Sequence, residues 1–168
     1  MNHLSHRSNG ISKMSMIVLT LLVLGMALPF NSAIIKAAPT CTDICYVAVD
    51  GDDNNAGDQA NPLLTIGTAL TQVNAGGTIH IGAGTFTETV TITKSVTIIG
   101  AGTNDTIITA PTGATNQKLF DVRANDVTIE AIHFWINQPD AATGIYAAQP
   151  HSFDNITIKD NAFSTTGS

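Results

Sequence analysis

The residues of this chain whose types and spacing best suit chemistry lie in an acidic loop near residue 50. The stretch DGDDNNAGD places Asp50, Asp52 and Asn54 at alternate positions, and carboxylate and amide oxygens are ligands that Ca²⁺ prefers. An EF-hand loop would need Gly at its sixth position and Glu at its twelfth, but Asn55 and Asn61 stand there. The spacing excludes an EF-hand and leaves two interpretations: an irregular calcium site, or a loop whose Asx side chains satisfy their own backbone, which these residue types favour.

A second group of residues could contact a sugar. Trp135 and Tyr146 carry rings that can stack on sugars, although single aromatic residues more often pack within their own protein. Arg123, which shares a strand face with Asp121 because the two are two positions apart, is the third candidate for substrate binding. For the charged residues the alternative interpretation is a solvated turn.

The chain has two cysteines, Cys41 and Cys45, four positions apart. A local disulfide is the favoured interpretation, because an exported protein can form one. It would close a very small loop and restrain little beyond the mature N-terminus. Free thiols come second, and a metal site comes last because the pair offers too few ligands.

The elements that must position these side chains are short strands in which one tripeptide sequence recurs. Val-Thr-Ile occurs at 90–92, 96–98 and 127–129, and Ile-Thr-Ile at 156–158. The gaps between Val96, Val127 and Ile156 are 31 and 29 residues, and a repeat of this length predicts stacked parallel coils. Strand alternation then puts the aliphatic residues on an inner face and Thr97, Thr128 and Thr157 on an outer face. A β-sandwich is the alternative, but the Asn-Gly and Asp-Gly dipeptides typical of its hairpin turns do not occur after residue 78.

One short helix precedes these strands. Ile66, Ala69, Leu70 and Val73 recur at helical spacing. The pattern predicts a helix over 65–73, with Thr65 as N-cap and a glycine pair at 76–77 as its end.

The first 38 residues are typical of a secretory signal peptide. A basic start carrying Arg7 and Lys13 leads into the apolar run Met14–Phe30. The run falls short of the roughly 20 residues that cross a bilayer, so an uncleaved anchor is the lesser alternative. We expect the mature chain to begin between Ser32 and Cys41, and to be secreted or held at the cell surface without membrane contact of its own.

Composition narrows the function classes. Hydrophobic residues make up 43% of the chain, which excludes a disordered protein. A net charge of −6 argues against nucleic acid or an anionic membrane as partner.

The segment Tyr46–Gly102 resembles the N-terminal region of right-handed parallel β-helix proteins of the pectate-lyase-like superfamily. It looks especially like a bacterial family of unknown function in that superfamily. The resemblance rests on an Asx-rich loop, Asn61-Pro62, the short helix, Gly-Gly-Thr-Ile and the segment Gly82–Glu88. In such folds the short helix caps the first coil. The superfamily includes lyases of acidic polysaccharides and surface adhesins, so the fold alone does not decide the function.

The sequence therefore predicts an all-β protein, a right-handed parallel β-helix solenoid with a short N-terminal capping helix. Its parts are a signal peptide (1–38), a mature N-terminus with loop and helix (39–77), and β-helix coils (78–168). We expect a structural or carbohydrate-interacting module with no catalysis of its own, whose partner is an acidic polysaccharide or a cell-surface glycan. The alternatives are the N-terminal part of a calcium-dependent polysaccharide lyase, for which no catalytic residue is identified, and an adhesin. The last coil, at 156–163, has no apolar residue after it, so we expect coils that are incomplete at the C-terminus: a truncated piece of a longer β-helix, or an uncapped end that a partner completes.

Overall fold

The computed structural model describes residues 40–113, 117–137, 143–147 and 154–165. The predicted signal peptide, 1–38, lies outside the described residues. The elements in chain order are β1 (Ile44–Val47), α1 (Ile66–Gln72), β2 (Gly77–Ile81), β3 (Gly84–Thr87), β4 (Val90–Ile92), β5 (Val96–Gly100), β6 (Thr106–Thr109), β7 (Lys118–Val122), β8 (Val127–Glu130), β9 (His133–Ile136), β10 (Thr143–Ala147), β11 (Ile156–Lys159) and β12 (Ala162–Thr165).

These strands form three sheets, and every strand pair among the described residues is parallel. Sheet A has the order β1-β2-β5-β8-β11, sheet B has β3-β6-β9-β12, and sheet C has β4-β7-β10. From β4 to β12 the chain visits sheets C, A and B in turn and completes this circuit three times in all. The described protein is thus mostly β, with parallel sheets and one short helix, an arrangement consistent with a parallel β-helix. The sandwich alternative is wrong, because it would require antiparallel hairpins.

The recurring tripeptide occupies aligned positions in neighbouring strands of sheet A. Val96 pairs with Val127, and Val127 with Ile156, in the sheet A register. Thr97, Thr128 and Thr157 align in the same way. The first copy, at 90–92, is β4 of sheet C. The predicted alignment is therefore confirmed, and the doublet at 90 and 96 lies in two sheets, as β4 of sheet C and β5 of sheet A.

The interior is a column of aliphatic and aromatic side chains. Val96, Ile98, Val127 and Ile129 are fully or almost fully buried, as the alternation predicts. In the last described coil, however, Ile158 keeps 47% of its surface exposed although it aligns with Ile129. A parallel coil buries its inner face only where a neighbour covers it, so position in the stack, and not only strand parity, decides burial.

The predicted helix is confirmed with Thr65 as its N-cap, but it ends at Gln72, before the predicted glycine pair at 76–77. Thr65 accepts a hydrogen bond on Oγ1 from the Thr68 N–H at 3.1 Å, and Val73 is the C-cap. Its apolar residues pack against β1, β2 and β4. Glu88 adds a cap from outside the helix, since its carboxylate accepts from the N–H groups of Ile66 and Gly67 at 3.0 and 3.1 Å. This contact explains the Glu of the segment Gly82–Glu88, which ties the third strand's end to the helix.

The N-terminal segment is closed by the predicted disulfide. Cys41 and Cys45 are bonded to each other, and both are buried at the edge of the core beside the helix. The two alternative interpretations, free thiols and a metal site at the cysteines, are therefore wrong. The bond fixes the chain where β1 enters sheet A.

The corners between sheets use left-handed backbone at aligned positions. Asp126 and Asn155 precede β8 and β11 with φ of 54° and 59°, and Ala131 and Asp160 follow those strands with φ of 59° and 53°. Asx residues tolerate this region better than most. The Asn155 side chain also donates to Asp126 Oδ1 at 2.8 Å. Asp126 and Asn155 are thus turn formers, as their residue types indicate.

Asn161 joins two aligned strand corners through its side chain, a role that sequence analysis did not predict. Its Oδ1 accepts from the Ile132 N–H at 3.0 Å and its Nδ2 donates to the Ile129 carbonyl at 2.8 Å. Both backbone groups lie one coil earlier, at the corner between β8 and β9.

Replacing Asn161 by Ala should lower the free energy of unfolding by about 1–3 kcal/mol, because two backbone groups in a half-buried corner lose their partners. Asn161→Asp is the matched control and should cost less at a pH where the carboxyl is protonated, because the acceptor is then kept and the O–H can donate to the Ile129 carbonyl; an ionised carboxylate would instead face that carbonyl oxygen. Urea unfolding monitored by circular dichroism measures both. A loss no larger for Ala than for Asp would mean that the acceptor contributes nothing.

Candidate functional site

The outer face of sheet C carries the strongest concentration of charge and aromatic surface among the candidates. In the register of that sheet, Asp121 of β7 lies between Thr91 of β4 and Tyr146 of β10. Arg123 follows β7, where its N–H donates to the Ile92 carbonyl at 2.8 Å. Parallel pairing thus brings together Arg123 and Tyr146, two of the three predicted substrate residues.

Four side chains form what we call the Asp121 cluster: Lys118, Asp121, Arg123 and Tyr146. Asp121 Oδ2 accepts from Arg123 through Nε at 3.1 Å and Nη2 at 2.7 Å. Lys118 Nζ lies 3.6 Å from the same oxygen and 3.6 Å from the centre of the Tyr146 ring. The predicted shared face of Asp121 and Arg123 is confirmed. Two cations on one anion leave the cluster with one surplus positive charge.

Asp121 is the buried centre of the cluster. Only 6% of its surface is exposed, and among the described residues its buried Oδ1 has no hydrogen-bond partner. Arg123 and Tyr146, by contrast, are exposed. The cluster therefore presents cationic N–H groups and a ring to solvent, with the carboxylate buried behind them.

The electrostatics keep Asp121 ionised. The hydrogen bond from Arg123 lowers the pKa of Asp121 against the opposing effect of burial, and the nearby Lys118 charge lowers it further. The same hydrogen bond raises the pKa of Arg123. At neutral pH the carboxylate is thus a weak base and a fixed anion, suited to holding the two cations in place.

Asp121→Asn should lower the free energy of unfolding by about 1 kcal/mol at pH 7, because the charge-assisted hydrogen bonds weaken. The Asp121 pKa is depressed in the folded state, so its stabilisation is present above the unfolded pKa near 4 and is lost as pH falls through the folded value. The gap between parent and variant should therefore narrow below about pH 4. Urea unfolding at pH 7 and pH 3 tests this, and a gap independent of pH would contradict the charged interaction.

Trp135 does not belong to the cluster. It lies in β9 of sheet B, aligned with Thr109 and Ser164, and is 39% exposed. Lys118, in turn, was missed by the sequence prediction. Its three-residue spacing from Asp121 was a poor signal, because strand alternation predicts opposite faces for the two residues, yet its side chain reaches both Asp121 and Tyr146.

The acidic loop has partners of its own. Asp52 Oδ1 accepts from the backbone and the side chain of Asn54, both at 2.8 Å, while Asp53 accepts from the N–H groups of Leu64 and Thr65. These contacts are Asx turns and a helix-entry anchor. In the described ranges no group of three His, Cys, Asp or Glu residues is placed to hold a metal ion. The structure thus agrees with the turn interpretation, and calcium at Asp50, Asp52 and Asn54 stays a prediction.

The parallel strands in three sheets and the one short helix of the described residues are consistent with a parallel β-helix. The chain belongs to the family described as "Protein of unknown function (DUF1565)", which matches residues 49–167. No curated protein and no solved structure matches the chain. Within the described residues, no helix has the length and apolar character needed to cross a membrane.

Proposed function

We propose that this chain is a secreted right-handed parallel β-helix of the pectate-lyase-like superfamily that binds an acidic polysaccharide or cell-surface glycan without catalysing its cleavage. The observation that carries the proposal is the Asp121 cluster. It combines a surplus cation and an exposed tyrosine ring on one sheet face.

The charge of the cluster supports an acidic ligand. The chain has a net charge of −6, so a locally positive surface is the part of it that an anionic sugar would approach. Arg123 donates two of its five N–H groups to Asp121 and keeps others for a sugar carboxylate, which guanidinium binds well. The Tyr146 ring offers an apolar surface beside them.

Binding, not catalysis, is favoured by the state of the one acid in the cluster. A general base works best with a pKa near the operating pH, whereas Arg123 and Lys118 hold the Asp121 pKa below its usual value. The right-handedness of the proposed β-helix rests on a general rule, since connections between parallel strands of one sheet are right-handed in nearly all proteins. Secretion follows from the apolar run at 14–30.

Titration of the purified chain with hexagalacturonate, followed by calorimetry, tests the proposal. Arg123→Gln should lower the affinity about tenfold or more, because a charge-assisted hydrogen bond is lost. Lys159→Gln is the matched control: it removes one exposed cation from sheet A, where Lys159 pairs with Glu130, and should leave binding unchanged.

Equal losses in the two variants would reduce the effect to net charge and contradict a specific site. Unsaturated products formed during incubation with polygalacturonate and calcium would instead favour the lyase alternative.

A further inference from the structure

A second surface, on the outer face of sheet A, has the features of a binding groove that the Asp121 cluster does not share. Tyr46 of β1, His80 of β2 and Ile99 of β5 occupy one row of the sheet register. At roughly 4.8 Å per strand, this row runs about 10 Å along the stack. Beside it lies a depression of about 350 Å³, which we call the Tyr46 groove. Its lining also includes Gln59 and the small residues Gly82, Gly100 and Ala101.

The walls of the Tyr46 groove are apolar but carry polar tips. The rings of Tyr46 and His80 stack with centres 5.2 Å apart and planes 19° from parallel, so they form one flat wall. Small residues at the ends of successive strands keep the floor low. In the described part of the chain, the Tyr46 hydroxyl, the His80 ring nitrogens and the Gln59 amide have no hydrogen-bond partner. An apolar cleft with a few convergent polar groups is the usual form of a ligand site.

The lining identifies the class of ligand. Among the residues that the structure describes, the lining contains no Lys, Arg, Asp or Glu, so an anionic sugar or a nucleic acid would find no counter-charge on them. An extended peptide would need a free strand edge to pair with, but β2, at the middle of the row, is paired on both sides. An uncharged sugar chain fits both properties, because its ring faces are apolar and its hydroxyls can reach the tyrosine, imidazole and amide groups.

We propose that the Tyr46 groove binds an uncharged oligosaccharide and that this site is separate from the Asp121 cluster. The two sites lie on different sheets and select opposite chemistries, one neutral and one acidic. This proposal does not depend on glycan binding at the Asp121 cluster.

The test is a nuclear magnetic resonance titration of the full secreted chain with xylohexaose, cellohexaose and, separately, hexagalacturonate. We expect one of the uncharged sugars to shift the amide signals of Gly82 and Ala101 and to leave those of Asp121 and Tyr146 in place. Tyr46→Ala should lower the association constant about tenfold, Tyr46→Phe should lower it less because the ring remains, and Tyr146→Ala should leave it unchanged.

Three results would overturn the proposal. One is the absence of shifts at Gly82 and Ala101 with both uncharged sugars, and another is an equal response of these amides to hexagalacturonate. The third is a Tyr46→Ala variant that melts like the parent chain and binds the sugar as well as the parent does. Loss of hexagalacturonate binding in Arg123→Gln belongs to the other site and leaves this one intact.

Discussion

Val127→Asp should prevent folding or lower the free energy of unfolding by about 4 kcal/mol or more. Val127 is fully buried in the middle coil, between Val96 of the coil before and Ile156 of the coil after. A carboxylate there would lie among aliphatic side chains with no partner for its charge, and the stack on either side prevents it from turning to solvent. Circular dichroism and urea unfolding of the purified variant measure the effect.

Thr128→Asp is the matched control for this prediction. Thr128 is the next residue of the same strand, on the outer face between Thr97 and Thr157, so the same new charge meets water and should change stability by about 0.5 kcal/mol or less. Ile156→Asp should fall between the two, since Ile156 aligns with Val127 but is only partly buried. Similar losses at 127 and 128 would contradict the assignment of inner and outer faces.

The recurring tripeptide made the strand register predictable, because in a parallel stack aligned residues of successive strands lie in the same environment at a fixed sequence interval. Val96, Val127 and Ile156 must be alike for each coil to cover the next, so their likeness is visible in the sequence. The short helix was predictable for a similar reason, since its cap at Thr65 and its apolar spacing are local. What the repeat could not predict is the loss of burial at Ile158, which depends on having a neighbour on both sides.

The contacts that build the candidate sites were less predictable, because they join positions with no regular spacing. Arg123 and Asp121 are two residues apart and were found together, but Lys118 reaches them only through the path of one side chain. Tyr46 and His80 are 34 residues apart, across the acidic loop and the helix, and only the pairing of β1 with β2 makes them neighbours. Trp135 does not lie beside Tyr146, because β9 and β10 belong to different sheets.

The aromatic residues inside the last two coils give the second large prediction. Phe134 is fully buried, packs edge-on against Phe120 at 5.2 Å between ring centres, and stacks on Phe163 at the same distance. Phe134→Ala would remove the central ring of three and leave a cavity that the parallel strands cannot collapse to fill. We expect the free energy of unfolding to fall by about 3–5 kcal/mol.

Phe163→Ala removes the same side chain one coil later and is the matched comparison. Phe163 keeps 53% of its surface exposed, so about half of the usual burial energy is at stake and the loss should be about 1 kcal/mol. The difference between the two variants measures how far the last described coil is open. If Phe163→Ala cost as much as Phe134→Ala in urea unfolding of the purified chain, the exposed face of that coil would have to be covered in solution. Pairing of that coil with a partner would then be tested by measuring the mass of the chain and whether Phe163→Ala reduces it to that of a monomer.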